Sequence, residues 1–285
     1  MVFSNPPSAA TTDSAGNYIL SVPSAASGEV RPAFAAPPGT ALSTSDAVAI
    51  LQILVGSRAA TATDLLAADV TGNGTVSTGD AVAILRYLVG LAPQLPVVAQ
   101  CGSWWAFVPQ PVGGAASSIP PQIAPPPCEL GGLQFGTLAT SVAQQDFAAV
   151  LFGDVNGNWN PNTSVAEFGS TAVRLGRPRV LSSRQRQSWR IPVILRPDEP
   201  IAGLEFTVPY DPRSVRAARL RLHPALAGVL AAQNDTGSSL RVAIASSQPL
   251  VPGTLGWLHV RTEDRASFRQ TLRIEGARLA PASGR

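Results

Sequence analysis

The residues of this chain best suited to chemistry lie close together. In Asp69-Val70-Thr71-Gly72-Asn73-Gly74-Thr75-Val76-Ser77-Thr78-Gly79-Asp80, oxygen-bearing side chains recur at alternate positions and the sixth residue is Gly. A hard cation such as calcium takes roughly six to eight oxygens, and a loop of about twelve residues delivers them from positions 1, 3, 5, 7, 9 and 12 around a glycine turn. The spacing assigns Asp69, Thr71, Asn73, the Thr75 carbonyl, Ser77 and Asp80 to Ca2+, with Val76 pinning the loop to a core. Only two of these are carboxylates, so the geometry is better specified than the affinity. An Asx-rich turn that merely caps the next helix would use the same residues.

A second loop follows the same rule in part. Gly153-Asp154-Val155-Asn156-Gly157-Asn158-Trp159-Asn160-Pro161 places Asp154, Asn156 and Asn158 at positions 1, 3 and 5, with the Asn160 carbonyl at 7. Position 12 is Val165, so a closing carboxylate requires Glu167 to reach in. A structured turn without metal is the alternative.

The elements that must position the first loop come from an internal repeat. Ser43-Thr44-Ser45-Asp46-Ala47-Val48-Ala49-Ile50-Leu51-Gln52-Ile53-Leu54-Val55-Gly56 recurs 34 positions later as Ser77 to Gly90, with eleven of fourteen residues identical. Each copy opens on Ser-Thr-x-Asp, a helix-start signal, and closes on Gly, a helix-stop signal. The intervening helix is apolar nearly all round and must be covered on most sides. A short helix near Asp64–Ala68 is expected between the two.

A calcium loop followed by an eleven-residue helix, duplicated about 34 residues apart, resembles a type I dockerin, the match covering roughly residues 35–92. The resemblance implies binding to a cohesin domain, with Thr44, Ser45, Thr78 and Gly79 as the contact positions. The stretch before the first helix, Ala35-Ala36-Pro37-Pro38-Gly39-Thr40, has no acid. The first copy is therefore expected to lack a metal, leaving Asp46 as a helix cap.

From about Thr171 onward the pattern is β, with strands expected at 189–195, 203–208, 241–245, 256–260 and 272–274. Ile201-Ala202-Gly203-Leu204-Glu205-Phe206-Thr207-Val208-Pro209-Tyr210-Asp211-Pro212 and Gly253-Thr254-Leu255-Gly256-Trp257-Leu258 resemble a cohesin, a jelly-roll shared with carbohydrate-binding modules. At the other end, Thr12-Asp13-Ser14-Ala15-Gly16-Asn17-Tyr18 resembles the last hairpin turn of prealbumin-like β-sandwiches, with a strand expected at Tyr18–Val22.

The expected fold is multidomain and mainly β. Residues 1–34 read as the remnant of a prealbumin-like sandwich and 35–95 as a small α-helical dockerin-like calcium module. Residues 96–168 read as a Pro/Gly-rich connector with one strand candidate, Trp104–Phe107, and 169–285 as a cohesin-like β-sandwich.

Composition constrains the function classes. Gly 25 and Pro 26 favour turns and short strands over long helices. All 21 basic residues are Arg; residues 1–168 carry three against ten acids, and residues 169–285 carry 18 against eight. These Arg are dispersed through β-patterns and form no run, which argues against nucleic acid. Cys101 and Cys128 fit neither a redox CxxC pair nor a zinc site; they read as a disulfide in an oxidising compartment or as two free thiols. No signature of hydrolase, kinase or dinucleotide chemistry occurs, and His223 and His259 stand alone, so no catalytic residue is assigned. No stretch is apolar enough to span a membrane. The start lacks a signal peptide, and a truncated N-terminus of an extracellular or cell-surface protein is expected. Two functions compete. One is a non-catalytic scaffold whose partner is the cohesin or dockerin domain of another protein or of itself. The other is a carbohydrate-binding accessory fragment of a polysaccharide-degrading enzyme. Coplanar exposed aromatics among Trp189, Phe206, Tyr210, Trp257 and Phe268 would favour the second.

Overall fold

The computed structural model describes residues 1–4, 7–160, 172–180, 187–262 and 272–282. Strands take 37% of the chain and helices 15%, so the protein is mainly β, and every strand pairing among the described residues is antiparallel.

The C-terminal half is a two-sheet sandwich. One sheet orders β12 (Val215–Leu222), β15 (Gly253–Thr262), β10 (Gln187–Leu195) and β8 (Val173–Leu175), and β9 (Arg179–Val180) also pairs with β10. The other orders β13 (Leu230–Asp235), β14 (Ser239–Ala245), β11 (Ile201–Pro209) and β16 (Glu275–Pro281). Period-two alternation assigns each side chain to a face. In β14, Leu240, Val242 and Ile244 enter the core shared with Leu204, Phe206, Ile191, Leu258 and Trp189. Their neighbours Ala243 and Ala245 point out of the sandwich, into a different core. The strand expected at 272–274 is corrected, because those residues are unpaired and the last strand is Glu275–Pro281.

That different core belongs to the helices. The repeat forms α1 (Thr44–Leu54) and α3 (Thr78–Leu88), with α2 (Ala62–Ala68) between them and α4 (Pro96–Cys101) after. α1 lies on β11, β14 and β16, and α3 lies on β13 and β14. The sheet accepts them because its outer face is built of small residues: Ala202, Ala232, Ala243, Ala245 and Ala280 are all buried against the helices. Gly203 marks the closest approach. A Cβ there would stand 3.0 Å from Val48 Cγ2 and 3.2 Å from the Thr44 Cβ, so only glycine lets α1 settle. Polar bonds fix both helix ends, with Gln52 Nε2 donating to the Ala282 carbonyl at 2.8 Å and Asn234 Nδ2 to the Val89 carbonyl at 3.0 Å. The apolar helices are thus covered by each other and by the sandwich of the same chain.

The middle segment differs most from its sequence reading. The expectation of one strand around Trp104–Phe107 is corrected: among the described residues there are four, β4 (Trp105–Pro111), β5 (Ala116–Ile119), β6 (Gly132–Phe135) and β7 (Gln145–Leu151). β4 and β7 form a two-stranded ribbon. β5 and β6 join β1 (Val2–Ser4), β2 (Pro7–Ala9) and β3 (Gly28–Arg31) in a sheet of order β2-β1-β3-β6-β5 around Phe3, Val30, Leu133 and Phe135. The N-terminal residues therefore complete a sheet with the middle of the chain. The strand expected at Tyr18–Val22 is absent. Its turn does form, since Asp13 Oδ1 accepts from the Ala15 and Asn17 amides at 2.9 Å each and Gly16 has φ +85°. Tyr18 then spends its hydroxyl on the Gln145 carbonyl, away from any hairpin.

Candidate metal-binding loops

Each repeat helix begins with the same device. Ser43 and Ser77 are N-caps, and the aspartate three residues on returns to the cap in a capping box. Asp46 Oδ2 accepts from the Ser43 amide at 2.9 Å and its hydroxyl at 3.2 Å; Asp80 Oδ2 accepts from the Ser77 amide at 2.8 Å and its hydroxyl at 3.0 Å. Both carboxylates are fully buried, at 0% exposure. Each keeps one oxygen, Oδ1, facing away from its helix.

At α3 that oxygen receives the loop just upstream. Thr71 donates to Asp80 Oδ1 from its amide at 2.9 Å and from its hydroxyl at 2.8 Å, and the same hydroxyl lies 3.3 Å from Asp69 Oδ1. Asp69 is turned inward by the loop's own backbone: Gly72 and Asn73 donate to its Oδ1 at 3.0 and 3.2 Å, and Gly74 to its Oδ2 at 2.7 Å. Asn73 Oδ1 accepts from the Thr75 amide at 2.9 Å. Gly72 and Gly74 supply the positive φ values of +70° and +86° that this winding requires. Val76 packs half-buried on the helical core. The first, third and twelfth positions of the loop thus converge within hydrogen-bonding distance of one another.

At α1 the loop arrives from the far side of the sequence. Asp46 Oδ1 accepts from the Val155 amide at 3.0 Å and the Asn156 amide at 3.2 Å. The leading aspartate is held as in the first loop. Asp154 Oδ1 accepts from the fourth residue on, Asn158, at 3.0 Å, and Oδ2 from the fifth, Trp159, at 2.9 Å. In the first loop the fourth and fifth residues after Asp69 bond the same two oxygens. Asn156 Oδ1 lies 3.1 Å from the Asn158 amide. Asp154 and Asp46 are therefore placed as Asp69 and Asp80 are. The expectation that Asp46 serves only as a cap is corrected, because it also receives the Asp154 loop. Val165 and Glu167, the residues considered for closing that loop, lie outside the described residues.

Several elements deliver this second loop. The β4–β7 ribbon ends at Leu151, and Phe152, fully buried, donates its amide to the Trp104 carbonyl at 2.9 Å. The Gly153 amide donates to the Ala67 carbonyl at 2.8 Å. Gly153 has φ +91°, and a Cβ there would stand 2.9 Å from Leu95 and 3.0 Å from Leu42, so the approach needs glycine twice over. Arg58 donates to the Val155 carbonyl at 3.0 Å. Trp159 packs edge-on against Trp105 and Phe34, at 4.8 and 5.8 Å between centroids. Cys101 and Cys128 form a disulfide joining the end of α4 to the segment before β6. Asn160 is exposed at the loop's end.

Electrostatics separate this site from an ordinary cap. Burial, followed by the charge of Asp154, pushes the Asp46 carboxyl up to about 8, and burial also raises Asp154. Two acids stand together here, and among the described residues the Asp46 carboxylate has no cationic partner. The donor sets fit a hard cation and not zinc, being entirely oxygen: two carboxylates per loop, with amide, hydroxyl and carbonyl oxygens besides. For the same reason, no group of three or more His, Cys, Asp or Glu gathers among the described residues.

The four expected partner-contact residues divide. Thr44 is buried against the sandwich at Gly203 and Ser45 is half-buried, whereas Thr78 and Gly79 are exposed. Of the sandwich aromatics, Trp189, Phe206 and Tyr210 are buried and Trp257 is half-buried; Phe268 lies outside the described residues. No helix among the described residues is long and apolar enough to cross a membrane. No protein family and no curated protein matches the chain.

Proposed function

We propose that the chain is a non-catalytic calcium-dependent scaffold module, extracellular or on the cell surface. In this reading α1 to α3 form a dockerin-like unit and residues 169–285 a cohesin-like sandwich. The observation that carries it is the repeated hydrogen-bond pattern around Asp69/Asp80 and Asp154/Asp46. Asp69, Thr71, Asn73, the Thr75 carbonyl, Ser77 and Asp80 would hold one Ca2+. Asp154, Asn156, Asn158 and the Asn160 carbonyl would hold a second, with Asp46 as the closing carboxylate. Each site matches two carboxylates to one divalent ion, which would remove the cost of burying Asp46 beside Asp154.

The sandwich supports the scaffold reading in a specific way. The helix face opening at Thr44 rests on the chain's own sheet, so the first repeat has its partner in cis. Thr78 and Gly79 stay open, so a cohesin or dockerin domain of another protein would meet the second repeat. A place in polysaccharide degradation or surface assembly follows from the same resemblance.

The test is thermal unfolding of the full chain with calcium and with chelator. A ligand present at about a hundred times its Kd adds roughly 2.7 kcal/mol per site. Two sites predict a fall in Tm of about 10 °C or more on chelation. An unchanged melt contradicts the proposal.

A further inference from the structure

The sandwich has a second outer face, on the side away from the helices, and its chemistry is opposite. The register places Arg219 of β12, His259 of β15 and Arg190 of β10 in one row, and Arg179 of β9 continues it beyond Arg190. Neighbouring strands stand about 4.8 Å apart, so this row carries guanidinium groups on β12, β10 and β9 with the His259 imidazole between them. Arg221 and Arg261 flank His259 on the same face of the sheet. Arg179, Arg219, Arg221 and Arg261 are exposed. No described carboxylate forms an ion pair with Arg190, Arg219, Arg221 or Arg261.

Arg219, Arg221 and Arg261 line a hollow of about 460 Å³ with His259 and the small side chains of Ser188 and Ala217. Beside the hollow, ring contacts order the neighbouring side chains. The Arg190 guanidinium lies 4.0 Å over the Trp257 ring, and the His223 ring lies 5.2 Å from that ring. The positive field is felt locally: burial, then Arg221 and Arg190, holds the His259 imidazole below its ordinary range.

We propose that this face binds an acidic polysaccharide, seating a uronic-acid unit in the hollow with its carboxylate on the surrounding guanidinium groups. Guanidinium suits this work because its planar donors meet a carboxylate in pairs. Nucleic acid fits less well. Single strands are held largely by stacking bases on free aromatic rings, and Trp257 is already engaged by Arg190 and His223. A duplex is read by elements that protrude into its grooves, and this face is concave. The proposal goes beyond the scaffold reading and does not depend on it, since none of these residues belongs to either loop.

The experiment is calorimetric titration of the full chain at low salt with a galacturonate hexamer, a neutral galactose hexamer and hexathymidylate. The galacturonate hexamer should bind, and Arg219→Ala/Arg261→Ala should weaken it at least tenfold with the melt unchanged. Arg86→Ala, which removes one exposed charge on α3, should change affinity less than twofold, where the single variant Arg221→Ala on this face should weaken it about threefold. Should the double variant fail to fold, Arg221→Ala should weaken binding about threefold or more. The proposal is overturned if the galacturonate hexamer does not bind, or if Arg86→Ala weakens it as much. It is equally overturned if the neutral hexamer or hexathymidylate binds as tightly.

Discussion

Asp80 receives its loop from Asp69, eleven positions upstream, whereas Asp46 receives its loop from Asp154, 108 positions downstream. Around both carboxylates the arrangement is the same: one oxygen caps the helix, the other takes the loop amides, and the loop's first aspartate is wound inward by the fourth and fifth amides after it. The duplicated part of this device is the helix with its capping box, which acts as a socket. The loop is a separable part that need only arrive with the correct curvature. In the first repeat the stretch before the helix lacks acids, and the β4–β7 ribbon brings a loop from elsewhere. The difference is therefore in chain connection, and connection has energetic consequences that the local geometry does not show.

The largest effect is expected at Asp46. Asp46→Ala removes the cap of α1 and leaves the Val155 and Asn156 amides without their acceptor. Losing several bonds to one buried carboxylate costs about 3–5 kcal/mol. In a protein of this size, that lowers Tm by roughly 10 °C, and urea unfolding with calcium present would measure it. A loss under 1 kcal/mol would mean the two segments do not depend on each other.

A smaller effect separates the two loops. Closing a loop of 108 residues costs about 2 kcal/mol more chain entropy than closing one of eleven, and that entropy is returned when the contact breaks. Asp154→Ala should accordingly destabilise the protein less than Asp69→Ala, while loosening a longer stretch of chain. Hydrogen exchange should rise along Trp105–Pro111 and Gln145–Leu151 in the first variant, and only around residues 69–80 in the second. Matching exchange patterns would remove the distinction.

Much of this was legible in the sequence, and the reasons for the exceptions are physical. The Asp69–Asp80 loop and both repeat helices could be read because each depends on neighbours within about a dozen positions. The sandwich strands with strong alternation, such as 203–208 and 241–245, could be read because one face is buried. The ribbon was hidden because prolines and small residues interrupt Trp105–Pro111, and its partner 145–151 lacks clean alternation. The role of Asp46 was the main omission. Its identity with Asp80 in the repeat was a usable signal: a second socket implies a second loop, and Asp154-x-Asn156-x-Asn158 was the one without a closing acid. The covered sheet face left a trace too, in the run of alanines at 202, 232, 243, 245 and 280, but small residues do not declare what rests on them.

A separate effect, read on the chelated protein alone, concerns pH. In the chelated protein, Asp46 titrates near 8 when folded and near 3.8 when unfolded. Between those values the folded state holds a proton that the unfolded state has released. The stabilisation is complete below about pH 4 and is lost as pH rises through 8. With calcium bound, the ion takes the proton's place and this decline should flatten. Melts of the chelated protein at pH 5 and pH 8 would measure it; a chelated protein more stable at pH 8 would contradict the assignment of Asp46.

The most direct test of the account is the number of calcium ions bound by the full chain, counted by titration calorimetry after exhaustive chelation. The account predicts two ions for the unaltered protein, one for Asp154→Ala and one for Asp69→Ala, with both variants folded. A single ion in the unaltered protein that survives Asp154→Ala would contradict the split site, and no bound calcium at all would contradict the proposed function as a whole.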